Sequence, residues 1–333
     1  MRWMSNSSKN KPKVTALVPS YNHAPYLRRR IESVMRQTYS NVELIVIDDC
    51  SDDNSDEVIK SLQTQYGFIY VRNTCNSRSP FASWERGISL GTGDYIWICE
   101  SDDYAEPGFL EVTIDALMHN EGAVMAYCDS WIVNEQDRKI DHTDTYFHEI
   151  WREIRWDQGF VNAGADELRN YQLRGQTIPN MSSALFNMNV FKKAYNPFLK
   201  KFRLTGDWLF VGWVLQHGSA VYCKQVLSNF RKHEFTARER VKSARSQAEY
   251  IVTKYLLFRA SRRDWREFSA IMSTDAIRFL YEPAGLFDLL RELLSISFLK
   301  TVQCGGLFAA SLAMNGHLVR KFWQRYKLVK GGV

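Results

Sequence analysis

Glu100, Ser101, Asp102 and Asp103 follow directly on the apolar run of residues 95–99, YIWIC. Three carboxylates so close together repel one another unless something cationic sits among them. A hard divalent cation with oxygen ligands meets that need, and one that keeps open positions would also hold a phosphate-bearing substrate. The structural alternative is that Asp102 or Asp103 caps the helix entered through Pro107, since Asp and Pro are common at helix starts. A second acidic pair, Asp48 and Asp49, closes residues 42–47, VELIVI. There the corresponding alternative is a turn and helix cap leading into Ser55.

Both clusters must be carried by the elements that precede them. Residues 14–18 (VTALV) and 42–47 are short continuous apolar runs, the pattern of strands buried on both faces. Between them Leu27, Ile31, Val34 and Met35 recur at i, i+4, i+7 and i+8, one face of a helix. Strand, helix, strand in this order implies a parallel sheet. The alternation continues: a helix with Val58, Ile59 and Leu62, a strand at 68–71, a helix at 82–90, strands at 95–99 and 123–127, and a helix at 108–119 between those two. The expected fold is α/β, an open, doubly wound, mostly parallel sheet that binds ligands outside the carboxyl ends of its strands. Both acidic clusters occupy that edge. Residues 130–175 read as an irregular loop region, 182–186 and 220–223 as short strands, 207–217 as a helix, and the chain beyond Arg238 as helical and basic.

Four stretches occur in one order: VPSYN (18–22), VIDDCSDDNS (46–55), GTGDYIWICESDD (91–103) and TGDWLFVGWVLQHG (205–218). Together they resemble glycosyltransferase family 2, inverting nucleotide-sugar transferases of the GT-A fold, over residues 13–236. The resemblance implies that Pro19, Tyr21 and Asn22 form the first-strand nucleotide loop, that Asp49 contacts the nucleoside base, and that Asp48 supports it. It sets Glu100, Ser101 and Asp102 against the DxD-type element, with Asp102 the metal ligand and Glu100 in place of the commoner aspartate. The loop that reaches the diphosphate departs from the family: its usual Ala-Arg-Asn-x-Gly is here Ser83-Trp84-Glu85-Arg86-Gly87, which leaves Arg78 or Arg86 to face the phosphates, as guanidinium pairs well with phosphate. Asp207 aligns with the catalytic base, Trp208 stands on the acceptor side, and Gly206 replaces an acidic residue of many relatives. A helix N-cap is the competing role for Asp207. Arg231 and His233 match the Arg-x-His element, which makes His233 a metal ligand beside Asp102.

The implied reaction is single displacement with inversion. Mn²⁺ or Mg²⁺ would neutralise charge developing on the leaving β-phosphate of a UDP-sugar, while Asp207 takes the proton of the attacking acceptor hydroxyl. A glycan or lipid-linked acceptor, in bacterial-type surface polysaccharide or glycolipid assembly, fits this class. The alternative is a catalytically silent module of the same fold that binds a nucleotide or glycan. No GxGxxG or GxxxxGK[ST] follows the first strand, which argues against a dinucleotide oxidoreductase and a P-loop NTPase.

Composition is compatible with one large core plus an accessory region, or with two modest domains: 333 residues, 45% hydrophobic, 14% aromatic. Six scattered cysteines form no CxxC pair and read as reduced thiols of a cytoplasmic protein. Residues 1–12 read as a flexible polar lead-in without the apolar stretch of a secretory signal, and residues 237–333 as a helical, basic region. The net charge of +6 lies entirely in Lys300, Arg320, Lys321, Arg325, Lys327 and Lys330; without them acidic and basic residues are equal in number. Residues 301–319 are near the length of a membrane span but too polar for one. Beyond them Val319, Phe322, Trp323 and Tyr326 share a helical face ringed by four of the cations. That pattern suits either peripheral attachment to an anionic membrane surface, on the inner face of the plasma membrane, or packing on the protein or a partner subunit.

Overall fold

The computed structural model describes residues 11–143, 155–233, 243–264 and 286–297. The segments read from sequence as the start of the lead-in and the basic tail, 301–330, lie outside them.

The Val- and Ile-rich runs form the centre of a mixed sheet. Strand β1 (Val14–Ser20) pairs in parallel with β2 (Val42–Asp48) on one side and with β4 (Tyr95–Ile98) on the other. A short β3 (Ile69–Arg72) extends the sheet beyond β2. Beyond β4 come β9 (Ala184–Asn187), antiparallel to both neighbours, then β6 (Ala123–Val133), then β10 (Ser219–Arg231), with the two-residue β5 (Tyr104–Ala105) at that end. Strand β7 (Lys139–His142) pairs with β6 and β8 (Phe160–Asn162) with β10. The strand order runs 3-2-1 and then reverses to 4, so a topological switch lies between β1 and β4, and ligand crevices open beyond the carboxyl ends of strands at such points.

Helices α1 (Ala24–Met35), α2 (Ser55–Tyr66), α3 (Pro80–Leu90) and α4 (Phe109–His119) follow the expected strands. Leu27, Ile31 and Val34 of α1 are buried, whereas Met35, assigned to the same face, is exposed, because the helix ends there and Arg36 leaves its axis. The aliphatic cluster around β1 and β2 meets Trp97, which stacks on Phe109 with centroids 4.6 Å apart.

Two strands run well past their apolar stretches. Strand β6 continues through Asp129 and Ser130, and β10 through Ser228 and Asn229, all four nearly inaccessible to solvent. The two strands ladder in parallel across these polar residues. Much of what reads as irregular between 130 and 175 is therefore regular: the end of β6, β7, β8, a helical turn at Gly164–Glu167 and a π-helical turn at Leu168–Gln172.

The chain divides into two compact units. The first comprises Met1–Asn162, Ile178–Pro197 and Gly218–His233 and holds the sheet. The second comprises Ala163–Thr177, Phe198–His217 and Glu234–Val333; it contains the helices Gly206–Val214, Ser243–Ser261 and Leu286–Ile296. Among the described residues no helix is long and apolar enough to cross a membrane.

Candidate active site

The carboxyl ends of β1 and β4 bring His23 and Asp102 to the switch point, and the chain leaving β10 adds His233. One ligand atom from each of the three lies within 4.8 Å of the others. His233 Nε2 is 3.1 Å from Asp102 Oδ2, and His23 Nδ1 is 2.7 Å from Ser101 Oγ, which orients its ring. His233 is buried beside Tyr26, and among the described residues its Nδ1 has no hydrogen-bond partner. Burial works to raise the Asp102 carboxyl, but the hydrogen bond with His233 and the nearby imidazoles hold it below the ordinary aspartate range. Its neighbour is pushed the other way: Asp103 is buried beside the charge of Asp102, and both effects raise it.

Asp103 faces inward because the protein supplies its partners. It accepts the Arg231 backbone N–H at 2.9 Å and the side-chain amide of Asn180. Arg231, almost fully buried, ties the surrounding loops together. Its guanidinium donates to Asp102 O at 2.8 Å and Asn134 O at 2.7 Å, and it pairs with Asp137. The Arg-x-His segment therefore contributes twice, a ring at the cluster and a guanidinium that fixes the backbone of Asp102.

The first acidic pair is turned to different tasks. Asp48 is completely buried and accepts the Ser51 N–H and hydroxyl and, at 3.2 Å, Arg72 Nε. Asp49 accepts the amide of Asn73 at 2.6 Å and the Ser77 N–H and hydroxyl at 3.0 and 2.7 Å. Asn73 also accepts from Arg86, so Arg86 and Asp49 belong to one hydrogen-bonded chain. Arg78 is exposed at a φ of 60°, and among the described residues its guanidinium has no hydrogen-bond or ion-pair partner. Trp84 is buried between Phe81 and Phe191 and serves as packing. Pro19, next to last in β1, is half-buried, Tyr21 is exposed, and Asn22, at a φ of 55°, accepts the Asp52 N–H at 2.9 Å. The Glu100 N–H donates to Ser182 Oγ at 3.0 Å, and Ser101 is buried against His23.

In the second unit Asp207 lies in the first turn of the helix Gly206–Val214, whose N-cap is Thr205. The aspartate thus stands two residues past the cap position that competed with a chemical role. Trp208 is buried: its indole N–H donates to Gln172 O at 2.6 Å, and its ring lies 5.3 Å from that of Tyr250. The Trp208 side chain is engaged inside this unit rather than presented at its surface.

Two imidazoles and a carboxylate converging at a strand-end crevice form a donor set that fits a divalent transition cation. His23, Asp102 and His233 would hold it. His23 is the member that sequence reasoning missed; the available signal was its place on the loop after the first strand, at the same edge as residues 100–103.

A doubly wound sheet with a polar cluster at its switch point defines a class of α/β proteins that bind their ligands at that edge. The family model for Glycosyl transferase family 2 matches residues 15–186, just over half of the chain. The chain belongs to glycosyl transferase family 2. It is 31% identical over 112 residues to the glycosyltransferase GlyG of Streptococcus pneumoniae serotype 4; the match covers 34% of this chain and 37% of GlyG. The fold is similar to that of S. aureus TarS 1-349 in complex with UDP-GlcNAc, with a TM-score of 0.68 at 14% identity, covering 95% of this chain and 92% of that one. It is also similar to the mannosyltransferase PcManGT of Pyrobaculum calidifontis in complex with GDP-Man and Mn2+, with a TM-score of 0.50 at 14% identity and coverage of 96% and 81%. These likenesses establish a GT-A type sheet with helices toward the C-terminus.

Proposed function

We propose that this chain is an inverting glycosyltransferase that moves a sugar from a nucleoside-diphosphate donor to an acceptor hydroxyl. The observation that carries the reading is the convergence of His23, Asp102 and His233 at the switch point of a family 2 fold. Their charge type suits a cation shared with a diphosphate. A divalent cation there would stabilise the negative charge of the departing nucleoside diphosphate. Asp102 is held ionised by its imidazole neighbours, Ser101 orients His23, and Arg231 keeps the Asp102 backbone in place. Asp49 would accept from the nucleoside base, with Asn73 and Ser77 as its present partners, and Arg78 or Arg86 would approach the phosphates. Asp207 would take the proton of the acceptor hydroxyl as it attacks the anomeric carbon, displacing the diphosphate in one step and inverting the configuration.

A uridine donor is favoured because the TarS relative in fold is known with UDP-GlcNAc and UDP; PcManGT, bound to GDP-Man, keeps a guanosine donor as the competing choice. The acceptor is proposed to be a glycan or a lipid-linked glycan. The concentration of positive charge after Leu293 supports a site at an anionic membrane surface. The deciding experiment incubates the protein with UDP-GlcNAc, UDP-Glc and GDP-Man, each with Mn²⁺ and with EDTA, and follows nucleoside diphosphate release and product anomers by NMR. Turnover with inverted anomers is expected with metal. Retained configuration would refute single displacement, and tight donor binding without turnover would favour a silent module.

A further inference from the structure

A carboxylate from another helix of the second unit holds the backbone that leads into Asp207. Glu249, on the helix Ser243–Ser261, is completely buried. Its two oxygens accept the N–H groups of Arg203 at 3.0 Å, Leu204 at 2.8 Å and Thr205 at 3.2 Å, three consecutive amides that end at the N-cap of the Asp207 helix. Thr253, one turn further along, hydrogen-bonds Thr205 through its hydroxyl at 2.8 Å. Leu257, another turn on, touches the Asp207 helix where it carries Gly212; a Cβ there would come within 2.1 Å of Leu257 Cδ2. One face of the Ser243–Ser261 helix, at positions 249, 253 and 257, thus grips the segment 203–212.

Nothing about general packing requires a charged group here. A buried carboxylate is costly unless its lone pairs are filled, and this one is filled by three backbone amides and by Arg245 Nε at 2.7 Å. Arg245 in turn donates to Lys201 O, just before the gripped segment, and to Ser295 Oγ at 2.6 Å. An apolar residue at 249 would fill the space but leave three amides unpaired. What the carboxylate adds is a defined position for the loop, which a hydrophobic contact does not impose.

We propose that Glu249, supported by Arg245 and Thr253, is the positioning residue of the base: it fixes the backbone of residues 203–205 so that Asp207 is presented at one place and angle. The proposal rests on Asp207 being the base. It places a determinant of rate outside the region matched by the family model, 15–186, on a helix that carries none of the four motifs. Proton transfer depends steeply on the position of the base, so a loosened loop should lower turnover without touching donor affinity.

The test uses the full chain and four variants: Asp207→Asn, Glu249→Gln, Thr253→Val and the double variant Asp207→Asn with Glu249→Gln. The donor is whichever of UDP-GlcNAc, UDP-Glc and GDP-Man, with Mn²⁺, the wild-type protein turns over. Expected are a loss in kcat of about 10- to 100-fold for Glu249→Gln, a smaller loss for Thr253→Val, and donor Kd unchanged in both. Hydrogen exchange should quicken at amides 203–205 in Glu249→Gln. In the double variant the Glu249 change should cost no further rate, because the group it positions is already gone. An equal further loss in the double variant, or full kcat in Glu249→Gln while Asp207→Asn is impaired, would overturn the proposal and leave the base assignment standing. Full kcat in Asp207→Asn would overturn the base assignment, and the proposal with it.

Discussion

Asp102 and Asp103 are neighbours with opposite electrostatics. The first sits between two imidazoles and is held ionised; the second is buried, beside a like charge, and raised. An ionised carboxylate beside two imidazoles has the charge and donors proposed here to hold a cation, whereas a buried one accepting from Arg231 and Asn180 is a strut. Asp102→Asn and His23→Ala are each expected to weaken Mn²⁺ binding by at least about 10-fold, read by titration calorimetry on the unliganded protein. Unchanged Mn²⁺ affinity in His23→Ala would remove that residue from the site. Asp207→Asn is expected to lower kcat by about 10²- to 10⁴-fold with donor Kd intact, the mark of a lost proton acceptor.

At the scale of elements, two contacts set how tightly the helices and turns close on the strands that aim the site. Helix α3 lies so close to β1 that a Cβ on Gly87 would fall 2.2 Å from Leu17 Cδ2. Gly87→Ala is expected to destabilise the protein by about 1–3 kcal/mol through overpacking, measured by urea denaturation. An unshifted midpoint would mean that Leu17 has room to turn away. Glu43, on β2, draws together β1 and the turn before β4: it accepts from Thr15 Oγ1 at 2.5 Å and from Thr92 N at 2.6 Å, and pairs with Lys13 at 2.6 Å. Burial alone would raise its carboxyl, but the bonds from Lys13, Thr15 and Thr92 outweigh it and lower it to about 2. A carboxyl depressed on folding contributes stability that is complete above its unfolded value and is lost as pH falls toward the folded one. Stability should therefore fall between about pH 4.5 and about 2 as Glu43 is protonated, and Glu43→Gln should flatten the slope of stability against pH in that window. The same slope in both proteins would show that other carboxylates govern acid unfolding.

For the molecule as a whole, a ligand that binds only the folded state raises stability by mass action, about 2.7 kcal/mol at 100 times its Kd. A UDP-sugar with Mn²⁺ is expected to raise the melting temperature more than the sum of either alone, since each completes the other's site. Purely additive shifts would argue that sugar nucleotide and metal bind apart. The charge excess belongs to this scale too. Removing residues 301–330 takes away all the excess but Lys300, and is expected to abolish salt-sensitive sedimentation with anionic liposomes. Equal sedimentation of the shortened chain would place any attachment elsewhere.

Much of this was legible in the residues themselves. Uninterrupted Val and Ile runs bounded by Pro19 and by Asp48 admit little but buried strands, and the 3.6-residue recurrence of Leu27, Ile31 and Val34 fixes the helix that links them. The family resemblance and the acidic edge follow from those local patterns. Strand lengths were less legible at β6 and β10, because Asp129, Ser130, Ser228 and Asn229 interrupt the apolar pattern yet are buried, with the ladder between the strands to satisfy the backbone. His23 was missed as well, its place on the loop after the first strand being its one sign. Its partners Ser101 and His233 come from the ends of other strands, and only the assembled sheet brings those ends together. Glu249 is the same case in the second unit: a glutamate in a helix reads as solvated surface until the tertiary fold presents three amides to it. Local periodicity is a property of neighbours along the chain and can be read there. Which distant polar groups satisfy one another is decided only when burial removes water as the alternative partner.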